Sequence, residues 1–148
     1  MIAIGCDHGG YALKQDIMAM LTEKGYEFKD YGTYSAESCD YPIYAEAVCK
    51  AILGGEADRG ILICGTGIGI SIAANKFKGI RAANCADCFS AEFTRRHNDA
   101  NIGALGARTV GSGLALKIVE TFLETGFDGG KHARRIGMIA EIEERELG

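Results

Sequence analysis

The chain has 148 residues, of which 47% are hydrophobic and 24% charged, and its formal net charge at pH 7 is −4. This length predicts one domain over residues 1–148, large enough to fold without a metal ion or a disulfide. The acidic balance argues against a nucleic-acid or membrane-surface binder, and no apolar run is long enough to span a bilayer. With no secretory leader at its start, we expect a cytoplasmic protein whose cysteines are reduced.

Short apolar runs alternate with amphipathic segments along the whole chain. The predicted strands are Ile2–Cys6, Glu27–Tyr31, Gly60–Cys64, Ile80–Cys85 and Ile102–Leu105. Apolar residues at helical spacing follow most of them, and Gly25 marks the expected end of the first helix. This alternation predicts an α/β fold with a five-stranded parallel, doubly wound sheet of the flavodoxin type, covered by helices on both faces.

The last segment, residues 131–148, reads as a helix with no strand after it. Ile136, Ile139 and Ile142 line one side of this helix. It can pack on its own sheet or lie across a partner subunit, and the pattern leaves both possibilities open.

Polar residues stand close to three of the predicted strands. Asp7 and His8 follow the first strand in "CDHGG", and "CGTGIG" ends the third. His97 and Asn98 stand immediately before the fifth strand. Because doubly wound sheets bind ligands at the strand ends, we expect these three sets to meet at one edge of the sheet.

The glycine loop after the third strand offers backbone N–H groups to an anion. Glycines at positions 65, 67 and 69 permit a concave loop that binds a phosphate or a developing oxyanion. The loop lacks the P-loop pattern, and Ile70 occupies the third glycine position of a dinucleotide fingerprint. Asp87 lies near the spacing of a ribose ligand, so a nucleotide-binding module stays open as an alternative.

Cys64 stands at the edge of this loop. Amide donors and a helix start beside it favour a thiolate near neutral pH, which can attack an electrophile or remove a proton alpha to a carbonyl. The simpler alternative is a buried structural cysteine. Cys85 and Cys88 form a C-x-x-C pair, which keeps a thiol-redox protein as a third hypothesis.

Basic residues cluster in two segments of this acidic chain, residues 95–97 and residues 131–135. The second, "GGKHARR", begins the last predicted helix, where cations oppose the helix dipole. Cations placed against this preference indicate an anionic ligand such as a phosphate.

Five motifs taken in chain order carry a family resemblance: "GCDHGG", "DYP", "RGILICGTGIGISIAANK", "RRHNDANI" and "GGKHARR". Together they resemble the ribose-5-phosphate isomerase type B family, which also contains galactose-6-phosphate and allose-6-phosphate isomerases. The resemblance implies a Rossmann-like three-layer sandwich. It also implies a homodimer or dimer of dimers, with active sites and the C-terminal helix at the subunit interface. The implied chemistry interconverts an aldose phosphate and a ketose phosphate through a cis-enediol, without metal or cofactor.

The resemblance also implies roles for individual residues. Cys64 resembles the base that moves a proton between C1 and C2, and His97 the acid that opens the furanose ring, reaching in from the partner subunit. Thr66 resembles a residue that assists ring opening. The implied substrate-binding residues are Asp7, His8, Gly65, Thr66, Gly67, Ile68, Gly69, Asn98, Arg108, Lys131 and Arg135.

Two positions bear on the preferred sugar. Lys131 replaces an arginine common in the family, so a bidentate phosphate contact is lost. His97 in "HNDAN" matches the ribose-type members and is absent from the galactose-type ones. The leading hypothesis is therefore an isomerase of ribose 5-phosphate and ribulose 5-phosphate. The alternatives are a hexose 6-phosphate or rare-sugar isomerase.

Overall fold

The computed structural model describes all residues from Met1 to Gly148. Its strands are β1 (Ile2–Cys6), β2 (Phe28–Asp30), β3 (Arg59–Cys64), β4 (Ala82–Asn84) and β5 (Ile102–Gly106). Its α-helices are α1 (Tyr11–Glu23), α2 (Tyr41–Leu53), α3 (Ile68–Ala74), α4 (Cys88–Asn98), α5 (Ser112–Glu124) and α6 (Lys131–Glu146). All five predicted strands are present, although β2 and β4 are shorter than predicted.

The five strands form one parallel sheet in the order β2-β1-β3-β5-β4. The predicted flavodoxin-type order would place β4 beside β3, whereas here the last two strands have exchanged places. Burial agrees with this order: all five residues of β5 are buried, whereas β4 is only partly covered. The fully buried β5 lies inside the sheet beside β3, and the short β4 is the outermost strand.

Helices cover both faces of the sheet, which gives the predicted Rossmann-like three-layer sandwich. The core on one side joins β1 and β3 to α1, α4 and α5, and the core on the other side joins them to α2 and α3. Side chains alternate along β3, so Ile63 faces the first core and Cys64 the second.

Helix α6 lies against α4 and buries none of its own residues completely. Its far end is tied to the loop before β4, where Gly79 donates its N–H to the Glu143 carboxylate at 2.6 Å. Met138, Ile139 and Ile142 remain about half exposed. No helix in the protein combines the length and the apolar character that crossing a bilayer requires.

Candidate active site

The carboxyl ends of β1 and β3 bring two of the predicted residue sets together. Cys6 and Ile63 are register partners, so Asp7 and His8 emerge beside Cys64 and its glycine loop. The two loops touch, because a Cβ added to Gly9 would lie 3.4 Å from the Gly65 nitrogen. This edge is the strand-end position predicted for a ligand.

Cys64 is buried, with 5% of its surface exposed, and its sulfur accepts a hydrogen bond from the Gly67 N–H at 3.1 Å. Gly67 takes a left-handed conformation with φ of +78°, and a Cβ there would lie 2.8 Å from the Leu105 carbonyl carbon. Only glycine can therefore turn this N–H toward the sulfur. The bond is stronger to a thiolate than to a thiol, because charged acceptors bind N–H donors more tightly.

Other amides of the loop remain free. The N–H groups of Gly65, Thr66 and Gly69 have no acceptor within the chain. The Thr66 hydroxyl accepts the N–H of Ile68 at 3.2 Å, which leaves its own proton free to donate. The loop thus presents several donors beside the cysteine, as an oxyanion cradle requires.

His8 is oriented by the segment before α2. Its Nδ1 accepts the backbone N–H of Cys39 at 3.2 Å, and the Cys39 sulfur lies 3.9 Å from the same nitrogen. A neutral His8 therefore carries its proton on Nε2, which faces away from this contact as a donor.

Asp7 and Arg108 complete the polar rim of this edge. One Asp7 oxygen accepts the N–H of Gly10 at 3.1 Å, and the other is free. Arg108 follows β5, donates its N–H to the Gly65 carbonyl at 2.9 Å and extends its exposed side chain over Gly65. Because Arg108 has no ion-pair partner within the chain, it offers a free cation to a ligand here.

Tyr41 also borders the loop, although the sequence did not single it out as a site residue. A Cβ added to Gly69 would meet its ring at 2.8 Å, so only glycine leaves room for the ring. The "DYP" motif was the available signal, because it marks the start of α2, but it does not show which loop the ring covers.

His97 and Asn98 lie at the opposite edge of the sheet, so the prediction that three residue sets meet at one edge is wrong for a single chain. Both residues end α4, which leads into the amino end of β5. Cys64 pairs with Gly106 at the other end of that strand. The four-residue separation between Ile102 and Gly106 corresponds to about 13 Å along the strand.

The second group of predicted residues gathers at this amino edge. Helix α6 begins at Lys131, as predicted, with cations and no acid in its first turn. Lys131 and Arg135 are exposed and make no ion pair in the chain. Asn98 accepts the Thr94 hydroxyl at 3.1 Å, and the His97 ring stacks on His132. His97 and Asn98 border an open groove of about 360 Å³ along α4.

The C-x-x-C pair lacks the features of a redox site. Cys85 is 2% exposed, and burial raises the pKa of its thiol to about 11. A reactive thiol needs exposure and a lowered pKa, so the structure does not support a role for Cys85 in thiol exchange.

The structure does not support Asp87 as the ribose-binding residue of a nucleotide site. Asp87 caps α4 by accepting the Ser90 N–H at 2.7 Å and the Ser90 hydroxyl at 2.9 Å. In addition, no three histidine, cysteine or acidic side chains lie close enough together to form a metal site.

Comparison with known proteins agrees with the fold and with the family resemblance. A family model described as Ribose/Galactose Isomerase matches residues 2–139. Ribose-5-phosphate isomerase B of Escherichia coli is 54% identical over 144 residues, which cover 97% of each chain. D-erythrulose-4-phosphate isomerase of Pectobacterium atrosepticum is 43% identical, covering 98% of this chain and 96% of the relative. The solved structure of Clostridium thermocellum ribose-5-phosphate isomerase B has a TM-score of 0.96 and 57% identity, covering 97% of both chains. This chain belongs to the Ribose/Galactose Isomerase family.

Proposed function

We propose that this protein is a ribose-5-phosphate isomerase that interconverts ribose 5-phosphate and ribulose 5-phosphate within a single domain over residues 1–148. The observation that carries the proposal is Cys64 at the strand end, with the Gly67 N–H on its sulfur and free amide donors beside it. Two full-length relatives described above carry this activity in their names.

In the isomerisation step, the Cys64 thiolate removes the proton from C2 of the open-chain aldose. The C2–H electron pair forms a C1–C2 double bond, and the carbonyl oxygen on C1 becomes an enediolate oxygen. The free N–H groups of Gly65, Thr66 and Gly69 stabilise that negative charge. The proton on O2 then passes to O1, the electron pair left on O2 forms a carbonyl at C2, and the cysteine returns its proton to C1. No atom is gained or lost.

Ring opening precedes this step, because ribose 5-phosphate is mainly cyclic. In the proposal His97 donates a proton to the ring oxygen as the bond from that oxygen to C1 breaks, and the O1 hydroxyl gives its proton to solvent. The Thr66 hydroxyl, whose proton is free, orients the substrate oxygen. Asp7 and His8 contact the sugar hydroxyls, His8 through its Nε2–H.

The site is completed by a second copy of the chain. Cys64 and His97 lie at opposite edges of one sheet, so they act on one sugar only if His97 comes from a partner. We propose a homodimer or a dimer of dimers, in which α6 contributes to the interface. Exposed apolar side chains on α4 and α6 support this arrangement: Phe89, Met138, Ile139 and Ile142.

The substrate phosphate is assigned to Lys131, Arg135 and Arg108, three cationic residues that lack ion-pair partners. Lys131 and Arg135 stand in the first turns of α6, which packs against α4, the helix that ends at Asn98. Arg108 contributes from the opposite edge of a second copy. A phosphate there removes the conflict between these cations and the helix dipole. The proposal involves no cofactor, nucleic acid or membrane, and the cytoplasmic location stays a prediction.

The test is ketose formation from ribose 5-phosphate in a buffer containing a chelator, with the wild-type chain, Cys64→Ala and Cys88→Ala. We expect Cys64→Ala to lose about 10²–10⁴-fold in kcat, because it lacks the base. Cys88→Ala removes a thiol outside the site and should match the wild type. Full activity of Cys64→Ala would remove the proposed base, and an inactive wild type would remove the proposed substrate.

A substrate panel separates ribose 5-phosphate from the alternatives. The panel adds D-erythrulose 4-phosphate, allose 6-phosphate and galactose 6-phosphate, and each is ranked by kcat/KM. Ribose 5-phosphate should rank first, and a higher value for a hexose phosphate would favour the hexose alternative.

A further inference from the structure

His132 lies face to face with His97. The centroids of the two imidazole rings are 3.9 Å apart, and their planes differ by 7°. On another side, His97 meets Phe93 edge to face at 5.0 Å, and Phe93 stacks on Phe89 at 4.4 Å. His97 therefore stands in an aromatic row that runs along α4 and ends on α6.

These aromatic contacts are what orient the His97 ring. Neither of its nitrogens makes a hydrogen bond within the chain, whereas His8 is fixed by the backbone N–H of Cys39. Phe93 meets His97 edge to face, whereas His132 covers the face of the His97 ring. Removing the His132 ring would leave His97 free to turn about its side-chain bonds.

The position of His132 is built into the turn before α6. The N–H of Asp128 donates to the Arg96 carbonyl at 3.0 Å, and the Asp128 carboxylate lies 3.3 Å from the Arg96 guanidinium. Gly129 and Gly130 then take φ values of +70° and +58°, which side chains other than glycine rarely adopt. This anchored turn places His132 against His97, although the two residues are 35 positions apart in the sequence.

Burial and the neighbouring charges both favour the neutral form of His132. Partial burial lowers the pKa of His132 below its usual range, and the neighbouring His97, Lys131 and Arg135 lower it further, against a smaller opposing effect of Asp128. A neutral ring stacked on an imidazolium stabilises the cation through its π face. His132, with its lowered pKa, therefore competes less for the proton that the proposed mechanism places on His97.

We propose that His132 is a positioning residue, which holds His97 in one orientation and favours its protonated form by stacking on it. The inference rests on the proposed function, in which His97 donates the ring-opening proton. It assigns a role to the histidine of "GGKHARR" that is distinct from phosphate binding by its cationic neighbours.

The test compares His132→Ala and His132→Phe, with Arg134→Ala as a matched control on the same exposed helix. The kcat for ribose 5-phosphate is measured across the neutral and alkaline pH range. His132→Ala should lower kcat about tenfold, a fraction of what general acid catalysis contributes, with little change in KM. The alkaline limb of its pH profile should move down by about half a pH unit. His132→Phe should restore both, because a phenyl ring also stacks, and Arg134→Ala should match the wild type.

A second readout does not depend on turnover. The chain contains three histidines, so their ring protons can be assigned by single substitutions and titrated by NMR. In His132→Ala the His97 signals should lose the ring-current shift of the stacked partner and titrate at lower pH, and His132→Phe should reverse the change in titration. An unaltered His97 titration in His132→Ala would overturn the inference. So would a kcat loss that His132→Phe does not rescue and that leaves the pH profile unmoved. An inactive wild type would instead overturn the proposed function, and the NMR titration would still decide the role of His132.

Discussion

At the residue scale, Cys64 is the buried cysteine whose sulfur accepts an N–H of the glycine loop. Burial raises the pKa values of the thiols of Cys6, Cys49 and Cys85 to about 11, 12 and 11. The Cys64 sulfur accepts the Gly67 N–H at 3.1 Å. The glycine spacing around Cys64 indicated this contact in the sequence, because only a left-handed residue turns its amide back toward the strand end.

Lys131 supplies a test of the phosphate site. Lys131→Ala should raise KM for ribose 5-phosphate about tenfold, because one charged contact to the phosphate is lost, while kcat changes less. Lys131→Arg should keep or lower KM, since a guanidinium binds phosphate with two parallel hydrogen bonds. Steady-state kinetics of the two variants measure this.

The matched control is Lys117→Ala, which removes an exposed lysine of α5 outside the proposed site. Its KM should equal that of the wild type. Equal KM values for Lys131→Ala and the wild type would show that the first turn of α6 does not hold the phosphate.

At the scale of elements, helix caps and one buried ion pair hold the site-bearing segments. Asp87 caps α4, and its hydrogen bonds with Ser90 lower the pKa of its carboxyl below the ordinary value of 3.8. Because the folded-state pKa lies below the unfolded one, the stabilisation is complete above the unfolded value. It is lost as the pH falls through the folded value.

Asp87→Ala should therefore lower Tm by roughly a few degrees at neutral pH, and the difference should shrink below about pH 4. Activity should persist, since Asp87 acts as a cap. Asp40→Ala is the control for stability, because Asp40 begins α2 without a side-chain capping bond and should change Tm little. A Tm difference for Asp87→Ala that grows toward acid would contradict this account of the cap.

Lys14 ties α1 to the end of β2. Its side chain is completely buried, and its ammonium contacts the Asp30 carboxylate at 2.6 Å and the Thr33 carbonyl at 2.5 Å. Lys14→Met should lower the free energy of unfolding by about 3–5 kcal/mol, because it leaves the Asp30 charge unpaired. Urea denaturation measures this loss.

Lys29→Met is the control, since Lys29 forms an exposed pair with Glu56 at 3.3 Å. It should change stability little. Equal effects of the two substitutions would mean that burial of Lys14 adds nothing to its ion pair.

The sequence predicted the strands and helices themselves better than it predicted which of them lie side by side. Strand β1 has the predicted boundaries, because an apolar run that ends in "CDHGG" marks both of its ends. The order of β4 and β5 could not be predicted, since short connections fit either arrangement. The burial of Lys14 could not be predicted either, because its partners Asp30 and Thr33 lie far from it along the chain. Only the folded sheet brings the three residues together.

At the scale of the whole molecule, the proposed active site consists of two halves at opposite edges of the sheet. The sequence predicted the half around Cys64, because its residues follow the strands β1 and β3. It failed for His97, which precedes its strand and therefore belongs to the amino edge. The contact between His97 and His132 could not be foreseen, because it depends on how α6 turns back onto α4.

The central claim is that Cys64 of one chain works with His97 of another. The most direct test mixes two inactive variants, Cys64→Ala and His97→Ala, in equal amounts after unfolding and refolding them together. A mixed dimer would hold one site with both Cys64 and His97 intact. Because half of the dimers are mixed and each has one intact site of two, the account predicts recovery of about a quarter of wild-type activity. If both residues acted within one chain, no pairing would restore a complete site. An inactive mixture that contains mixed dimers would therefore contradict the account.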